Sequence, residues 1–400
     1  MPRYLQATLP GPFRLRRGGE LREVTLAYET WGELSPARDN VLLLTTGLSP
    51  GSHARSSPRN PEPGWWEGMI GPGRALDTDR YHVVCNNSLG SCHGSTGPAS
   101  IDPDTSEPYR LRFPLLSVED IAASSRALLK SLGIERVKAV VGSSLGGMTS
   151  LAYASLFPDE VELLVSISAA TAASPQAIAF RSLQREAIRS DPDWRDGQYE
   201  AGHAPRRGMT LARKLGVITY RSADEWKTRF GRERVVGGAA TPFGSEFEVE
   251  SYLTRHAERF VGGFDANCYL YLSRAMDLFD LADCQTSAAA PDGAAEIASA
   301  KSPAGSLNAA PDGAAEIASA KSPATPLEAA FARIRARRCL VIGVETDFLF
   351  PIEQQEQLAR GLQAAGRDTV FARLPSIQGH DSFLIDLARF GPVVKEFLAS

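Results

Sequence analysis

Residues 140–148 read VVGSSLGGM. The run before them, Val137–Gly142 (VKAVVG), is rich in β-branched residues and reads as a strand. The residues after them, Gly146–Phe157, read as a helix. A G-x-S-x-G pattern recurs by chance in many chains. Between a strand and a helix it acquires a mechanical meaning, because a tight strand–turn–helix elbow lifts the hydroxyl of its serine, here Ser144, out of the sheet. Gly142 and Gly146 lack the Cβ atoms that would obstruct such a turn. The competing reading is an ordinary turn serine ahead of a helix.

Outward from this elbow the chain alternates between two periods. Val24–Trp31, Val41–Thr46, Tyr81–Asn87 and Val161–Ala169 read as further strands, and Ser117–Gly133 as an amphipathic helix with Ser117 as N-cap and Gly133 at its stop. Strands alternating with helices predict a mostly parallel sheet covered by helices on both faces. From about Ser174 to Arg338 the alternation fails, and segments such as IAFRSLQREAIRSD, MTLARKLGVITYRS and NCYLYLSRAMDLFDL read as helices. Strands return at Cys339–Val344 and Thr369–Leu374, and a last helix is expected over Phe383–Leu398. The expected fold class is therefore α/β, an α/β-hydrolase fold with core 1–173 and 339–400 and a helical cap inserted at 174–338. Inside the cap, residues 289–304 (AAPDGAAEIASAKSPA) recur unchanged at 309–324. So small and polar a segment cannot bury enough surface to offset its ordering entropy, and a disordered surface loop is expected over 286–326.

Composition narrows the function classes. With 43% hydrophobic and 22% charged residues, the 400-residue chain can bury a large core. A net charge of −4 provides no basic footprint for nucleic acid or an anionic membrane. No segment approaches the roughly 18 apolar residues of a spanning helix, and residues 1–19 contain no apolar signal core. The five cysteines show no metal-ligand spacing, so no metal site is expected, and their scatter suits a reducing cytoplasm.

A serine hydroxyl is a weak nucleophile near neutral pH and needs a base and an acid to orient that base. In a fold of this type they follow late strands in the order Ser, Asp or Glu, His. Asp347 follows CLVIGV, and His380 follows TVFARL. Glu345 is a second candidate for the orienting acid. The developing oxyanion requires two backbone N–H donors. Position assigns them to Leu145, directly after the nucleophile, and to Leu48 in TTGLSPGSH after the Val41–Thr46 strand. These parts support acyl transfer through Ser144. Water as acceptor would make a carboxylesterase, and an alcohol would make a transferase.

The stretch 64–109 (GWWEGMIGPGRALDTDRYHVVCNNSLGSCHGSTGPASIDPDTSEPY), together with VVGSSLGGM, ARKLGVITYRS, FDANCYLYLSRAMD, DFLFP and GHDSFL, resembles the homoserine O-acyltransferase family of α/β-hydrolase enzymes. The resemblance covers nearly the whole chain except the duplicated loop. It implies a ping-pong acyltransferase acting on the hydroxyl of homoserine or serine, with Ser144 as nucleophile, Asp347 as orienting acid and His380 as base. It further implies Arg213 and Asp381 as holders of the amino-acid substrate, which suits an arginine fork on an α-carboxylate and a carboxylate on an α-ammonium. Where homoserine acetyltransferases carry His-Ala-Leu-Thr-Gly, this chain carries Thr46-Gly47-Leu48-Ser49-Pro50. The residues that follow resemble the branch that succinylates L-serine for cysteine synthesis. The loop Gly51, Ser52, His53, Ala54, Arg55 is then expected to crowd the acceptor pocket in favour of the shorter alcohol. Homoserine succinyltransferases place an arginine two residues after the catalytic aspartate, whereas this chain has Leu349. Arg185 is the candidate cation for a succinyl donor. The resemblance thus leads to the expectation of a cytoplasmic homodimer acting on small molecules, with acyl-CoA, succinyl-CoA favoured, as co-substrate and no bound cofactor. Homoserine acetylation or succinylation for methionine synthesis is the alternative.

Overall fold

The structure is a computed structural model that describes residues 3–200, 202–284 and 325–400. Eight strands form one sheet: β1 (Leu5–Leu9), β2 (Val24–Trp31), β3 (Val41–Thr45), β4 (His82–Asn86), β5 (Val137–Ser143), β6 (Val161–Ile167), β7 (Arg338–Val344) and β8 (Asp368–Leu374). Their spatial order is β1-β2-β4-β3-β5-β6-β7-β8. β1 and β2 pair antiparallel, as do β2 and β4, and every later pair is parallel. β1 was not among the expected strands. It joins at the edge through LQATL, whose side chains are buried only at Leu9.

The central strands are apolar on both faces because both faces are covered. In β3, Val41 and Leu43 enter one hydrophobic cluster and Leu42 and Leu44 the other. β5 repeats the division, with Val140 on one side and Ala139 and Val141 on the other. Alternation places successive side chains on opposite faces, so a two-faced core requires an unbroken apolar run. The first cluster is covered by α1 (Val118–Ser131) and α2 (Leu145–Leu156). The Ser117 side chain caps α1 and Asp120 closes the reciprocal capping box, an N-terminus legible in the sequence. The last expected helix is divided into α10 (Ser382–Ile385) and α11 (Leu387–Ala399), with Asp386 (φ −91°, ψ 50°) breaking the helical path between them.

The cap is built from α3 (Pro175–Arg189), α4 (Arg206–Tyr220), α5 (Ala223–Phe230), α6 (Glu248–Val261) and α7 (Ala266–Asp277). α3 packs on α4 and α7, and α4 packs on α6. α8 (Pro326–Arg333), inside the expected insertion, instead packs against α2 and α9 (Ile352–Ala364), with Phe331 buried in the core. The duplicated loop expected over 286–326 lies outside the described residues apart from its last two positions. Among the described residues no helix is long and apolar enough to cross a membrane.

The elbow depends on missing side chains. A Cβ on Gly142 would stand 2.2 Å from the Gly146 carbonyl oxygen and 2.3 Å from Thr45 Oγ1. One on Gly146 would stand 2.3 Å from the Thr45 carbonyl oxygen. At both positions the nearest obstacle is a backbone carbonyl, so the turn itself must move to admit a methyl group. Gly142→Ala should lower stability by about 1–3 kcal/mol, the range for overpacking a filled interior, and should depress activity with it. Urea unfolding checks this, and an unchanged midpoint would contradict so tight a turn.

Candidate active site

Ser144 occupies the junction of β5 and α2 with φ 56° and ψ −123°, a left-handed-side conformation disfavoured for a residue with a Cβ. Its N–H donates to the Ile167 carbonyl at 3.0 Å, and its carbonyl accepts from Met148 N–H at 3.0 Å. The backbone is therefore fixed from β6 and from α2 while the side chain projects from the turn. Strain of this kind persists only where the surroundings over-determine it, and it concentrates at functional sites.

His380 lies in the loop after β8 and Asp347 in the loop after β7. His380 Nε2 is 2.9 Å from Ser144 Oγ, and His380 Nδ1 is 2.8 Å from Asp347 Oδ2. The other Asp347 oxygen accepts the N–H groups of Leu349 and Phe350 at 3.0 and 2.8 Å. An aspartate with its oxygens so engaged accepts Nδ1–H, which leaves Nε2 with a lone pair facing the serine hydroxyl. Phe350 stacks on the imidazole and Phe383 meets it edge-on. Burial opposes the imidazolium, but the Asp347 charge and hydrogen bond overcome that penalty, and the His380 pKa is raised above its ordinary value. Glu345 takes no part in this relay. It pairs with Arg373 at 2.8 Å on the surface.

The hydroxyl opens into a cavity whose floor includes Gly47, Leu48 and Ser144, with Trp65 at one side and Phe180, Arg181, Gln184 and Tyr220 from the cap above. Leu145 is the first residue of α2, and its N–H belongs to the helix turn whose donors lack intrahelical partners. Leu48 lines the cavity beside it. Of the two assigned oxyanion donors, Leu145 follows the nucleophile directly in the chain and Leu48 lines the same cavity as Ser144.

Asp381 also faces the cavity. Burial raises its pKa against the opposing charges of Arg221, His380 and Arg213. Arg221 Nε is 3.2 Å from Asp381 Oδ2, while Arg221 Nη1 pairs with Glu225 at 2.6 Å. Arg213 spreads its guanidinium over Phe260, 4.3 Å from the ring centroid, and reaches towards Tyr220. Its buried Nε has no hydrogen-bond partner among the described residues. Tyr220 and Arg221 were not singled out in the sequence, although both lie in ARKLGVITYRS. The helical pattern ends there, and periodicity does not reveal that a helix terminus will face a loop carrying the base.

Two expectations require correction. Arg185 does not line this cavity. It pairs with Asp277 at 2.6 Å and donates to Ser273 Oγ at 2.9 Å, opening instead to an outer groove with Glu186 and Arg189. One turn earlier, Arg181 does line the cavity, with Nε 2.5 Å from the same carboxylate and both terminal nitrogens buried without hydrogen-bond partners among the described residues. Asp277 stands between the two arginines, so one turn of helix separates the inward cation from the outward one. The second correction concerns Gly51, Ser52, His53, Ala54 and Arg55, none of which lines the cavity. They stand behind it as a buttress. The Gly51 carbonyl accepts from Trp65 Nε1 at 3.0 Å, His53 spans Glu29 and the Glu62 carbonyl, and Arg55 donates to the Ile70 carbonyl. Gly47–Pro50 and Trp65 form the wall itself.

Comparison with known proteins agrees with this fold. The alpha/beta hydrolase fold family matches residues 40–384. A serine O-succinyltransferase of Litchfieldella anticariensis is 53% identical over 98% of this chain and 97% of its own. Among solved structures, a homoserine O-acetyltransferase from Bacillus anthracis superposes with a TM-score of 0.83 at 27% identity, covering 100% of this chain and 99% of its own. The esterase E22 superposes at 0.81, also at 27% identity, over 99% and 100%. By fold, by near-complete coverage and by the serine at its elbow, the chain belongs to the homoserine O-acyltransferase family of α/β-hydrolase-fold enzymes.

Proposed function

We propose that this chain transfers a succinyl group from succinyl-CoA to the hydroxyl of L-serine through an acyl-enzyme on Ser144. The observation that carries the reading is the 53% identity to a serine O-succinyltransferase across almost the full length of both chains. The geometry supplies a mechanism compatible with it. Ser144 Oγ attacks the thioester carbonyl as His380 Nε2 takes its proton, and Asp347 stabilises the resulting imidazolium. The oxyanion is received by the N–H groups of Leu145 and Leu48. Collapse breaks the carbon–sulfur bond, and CoA leaves with the proton from His380. The hydroxyl of L-serine then enters, yields its proton to His380 and attacks the acyl-enzyme. A second collapse releases O-succinylserine and returns the proton to Ser144.

The charged groups suit these substrates. Arg213 has a buried donor to spare and is the partner for the α-carboxylate, and Asp381, between Arg213 and Arg221, is the partner for the α-ammonium. Arg181, rather than Arg185, offers two unpaired nitrogens to the distal carboxylate of a succinyl donor. The buttress at 51–55 acts on the acceptor through Trp65 and the 47–50 wall. Acyl-CoA enters as co-substrate. The product carries an activated β-oxygen that a sulfur nucleophile can displace, which fits a place before cysteine formation in the cytoplasm. A homodimer formed through the cap is part of the proposal, because Leu183, Leu211 and Ile218 expose apolar side chains on α3 and α4. A carboxylesterase is the second reading, favoured by the likeness to esterase E22.

Two measurements test the scheme. L-Serine or L-homoserine, each with succinyl-CoA or acetyl-CoA, should give fastest thiol release with serine and succinyl-CoA. Fastest release with homoserine and acetyl-CoA, or hydrolysis of simple esters independent of any acceptor, would contradict it. One methylene in a pocket gives about 1–3 kcal/mol of discrimination, so homoserine should be a slower acceptor, not an inert one. For pH, the base must be neutral to accept a proton. The raised His380 pKa therefore predicts that kcat/KM falls as pH drops through a value above about 6.5, the ordinary imidazole pKa. An acid limb below that value would contradict the proposed relay.

A further inference from the structure

Gln184 lies three residues beyond Arg181 on α3, and both side chains line the Ser144 cavity. Gln184 is only 3% exposed, so its amide must find its partners inside the protein. One is visible: Gln184 Oε1 accepts the Tyr269 hydroxyl at 3.0 Å. Tyr269 lies deep between α7 and α3, and burial raises its pKa, so the phenol stays protonated and remains a donor. The acceptor atom of Gln184 is thereby engaged and the orientation of the amide is set. Its donor atom, Nε2, is left over Gly216 of α4. A Cβ on that glycine would stand 3.1 Å from Nε2 and 3.3 Å from the Tyr220 hydroxyl oxygen, so the bare Cα makes room for both groups. Arg181 adds to the same cap wall two buried nitrogens without partners among the described residues.

We propose that Gln184, oriented by Tyr269, is a specificity-determining residue. Its Nε2–H₂ group donates to the distal carboxylate of a dicarboxylic acyl donor, beside the guanidinium of Arg181. The inference rests on the succinyl-CoA reading above and deepens it. Arg181 supplies the charge, and Asp277 balances part of that charge. Gln184 supplies a directional donor that only an anionic or acceptor-bearing acyl tail can satisfy. A neutral tail of equal length would leave the amide and the guanidinium desolvated and unpaired, which is the stronger source of selection.

The test compares succinyl-CoA with butyryl-CoA, a neutral donor of the same chain length, each with L-serine as acceptor. Gln184→Glu keeps an oxygen for the Tyr269 hydroxyl but replaces the amide donor with a carboxylate that repels the succinyl terminus. The ratio of kcat/KM for succinyl-CoA to that for butyryl-CoA should fall about tenfold or more, the scale of a lost hydrogen bond to a charged group. Tyr269→Phe, which frees the amide to rotate, should lower the ratio by a smaller factor. A general loss of fold would reduce both donors together and leave the ratio unchanged, and that outcome overturns the proposal. A wild type selective for succinyl-CoA whose ratio survives Gln184→Glu overturns this inference alone. A wild type that uses both donors equally well overturns it together with the donor assignment.

Discussion

One hydrogen-bonded line, from Asp347 Oδ2 through the His380 ring to Ser144 Oγ, joins three loops that leave the same end of the sheet. Each loop is restrained differently. Ser144 is held by a turn that only glycines on either side permit. Asp347 is held by two backbone N–H groups from the residues that follow it. His380 is clamped between the rings of Phe350 and Phe383. Parallel strands make this convergence possible, because they deliver successive loops to one edge, where polar groups from distant parts of the sequence can meet. The two apolar clusters on the faces of the sheet hold the strands in register. In this way the burial of Val, Leu and Ile becomes positional accuracy at a hydroxyl.

The cap contributes charge to this site. Arg181, Arg213 and Arg221 all come from α3, α4 or the residue after α4, and each lies near the cavity or near Asp381. Cations in a partly buried site are costly unless paired. Asp277 and Glu225 meet that cost in part, binding Arg181 and Arg221 through one side of each guanidinium. Among the described residues, the two terminal nitrogens of Arg181 and the Nε of Arg213 have no hydrogen-bond partner. An anionic substrate group completes such a site, whereas a neutral ester leaves it incomplete.

The fold was legible because its signals are local. The apolar runs, the Ser117 capping box and the glycines around Ser144 can each be read within a few residues, and seven of the eight sheet strands stood out. β1 escaped because an edge strand buries little and shows little pattern. The three relay positions could be read from their place after particular strands, with Asp347 preferred to Glu345, and the Arg373 pair shows where Glu345 goes instead. Arg185, the expected donor cation, lies one helical turn from the arginine that lines the cavity. Arg181 and Arg185 sit one turn apart on the same helix and both pair with Asp277 on α7, so the sequence alone does not say which of them faces inward. The loop at 51–55 departs from expectation for a related reason, since a loop near a pocket can support its wall without forming it. Tertiary side-chain pairing sets these details, and no periodicity encodes it.

The account rests on Ser144 as the atom that carries the acyl group between donor and acceptor. Rapid quenching of the protein with succinyl-CoA and no acceptor, followed by proteolysis and mass mapping, tests this most directly. The predicted result is one succinyl group on the peptide spanning the elbow, localised to Ser144 and removed when L-serine is added before the quench. A succinyl group on another residue, or product formation by Ser144→Ala at the wild-type rate, would contradict it.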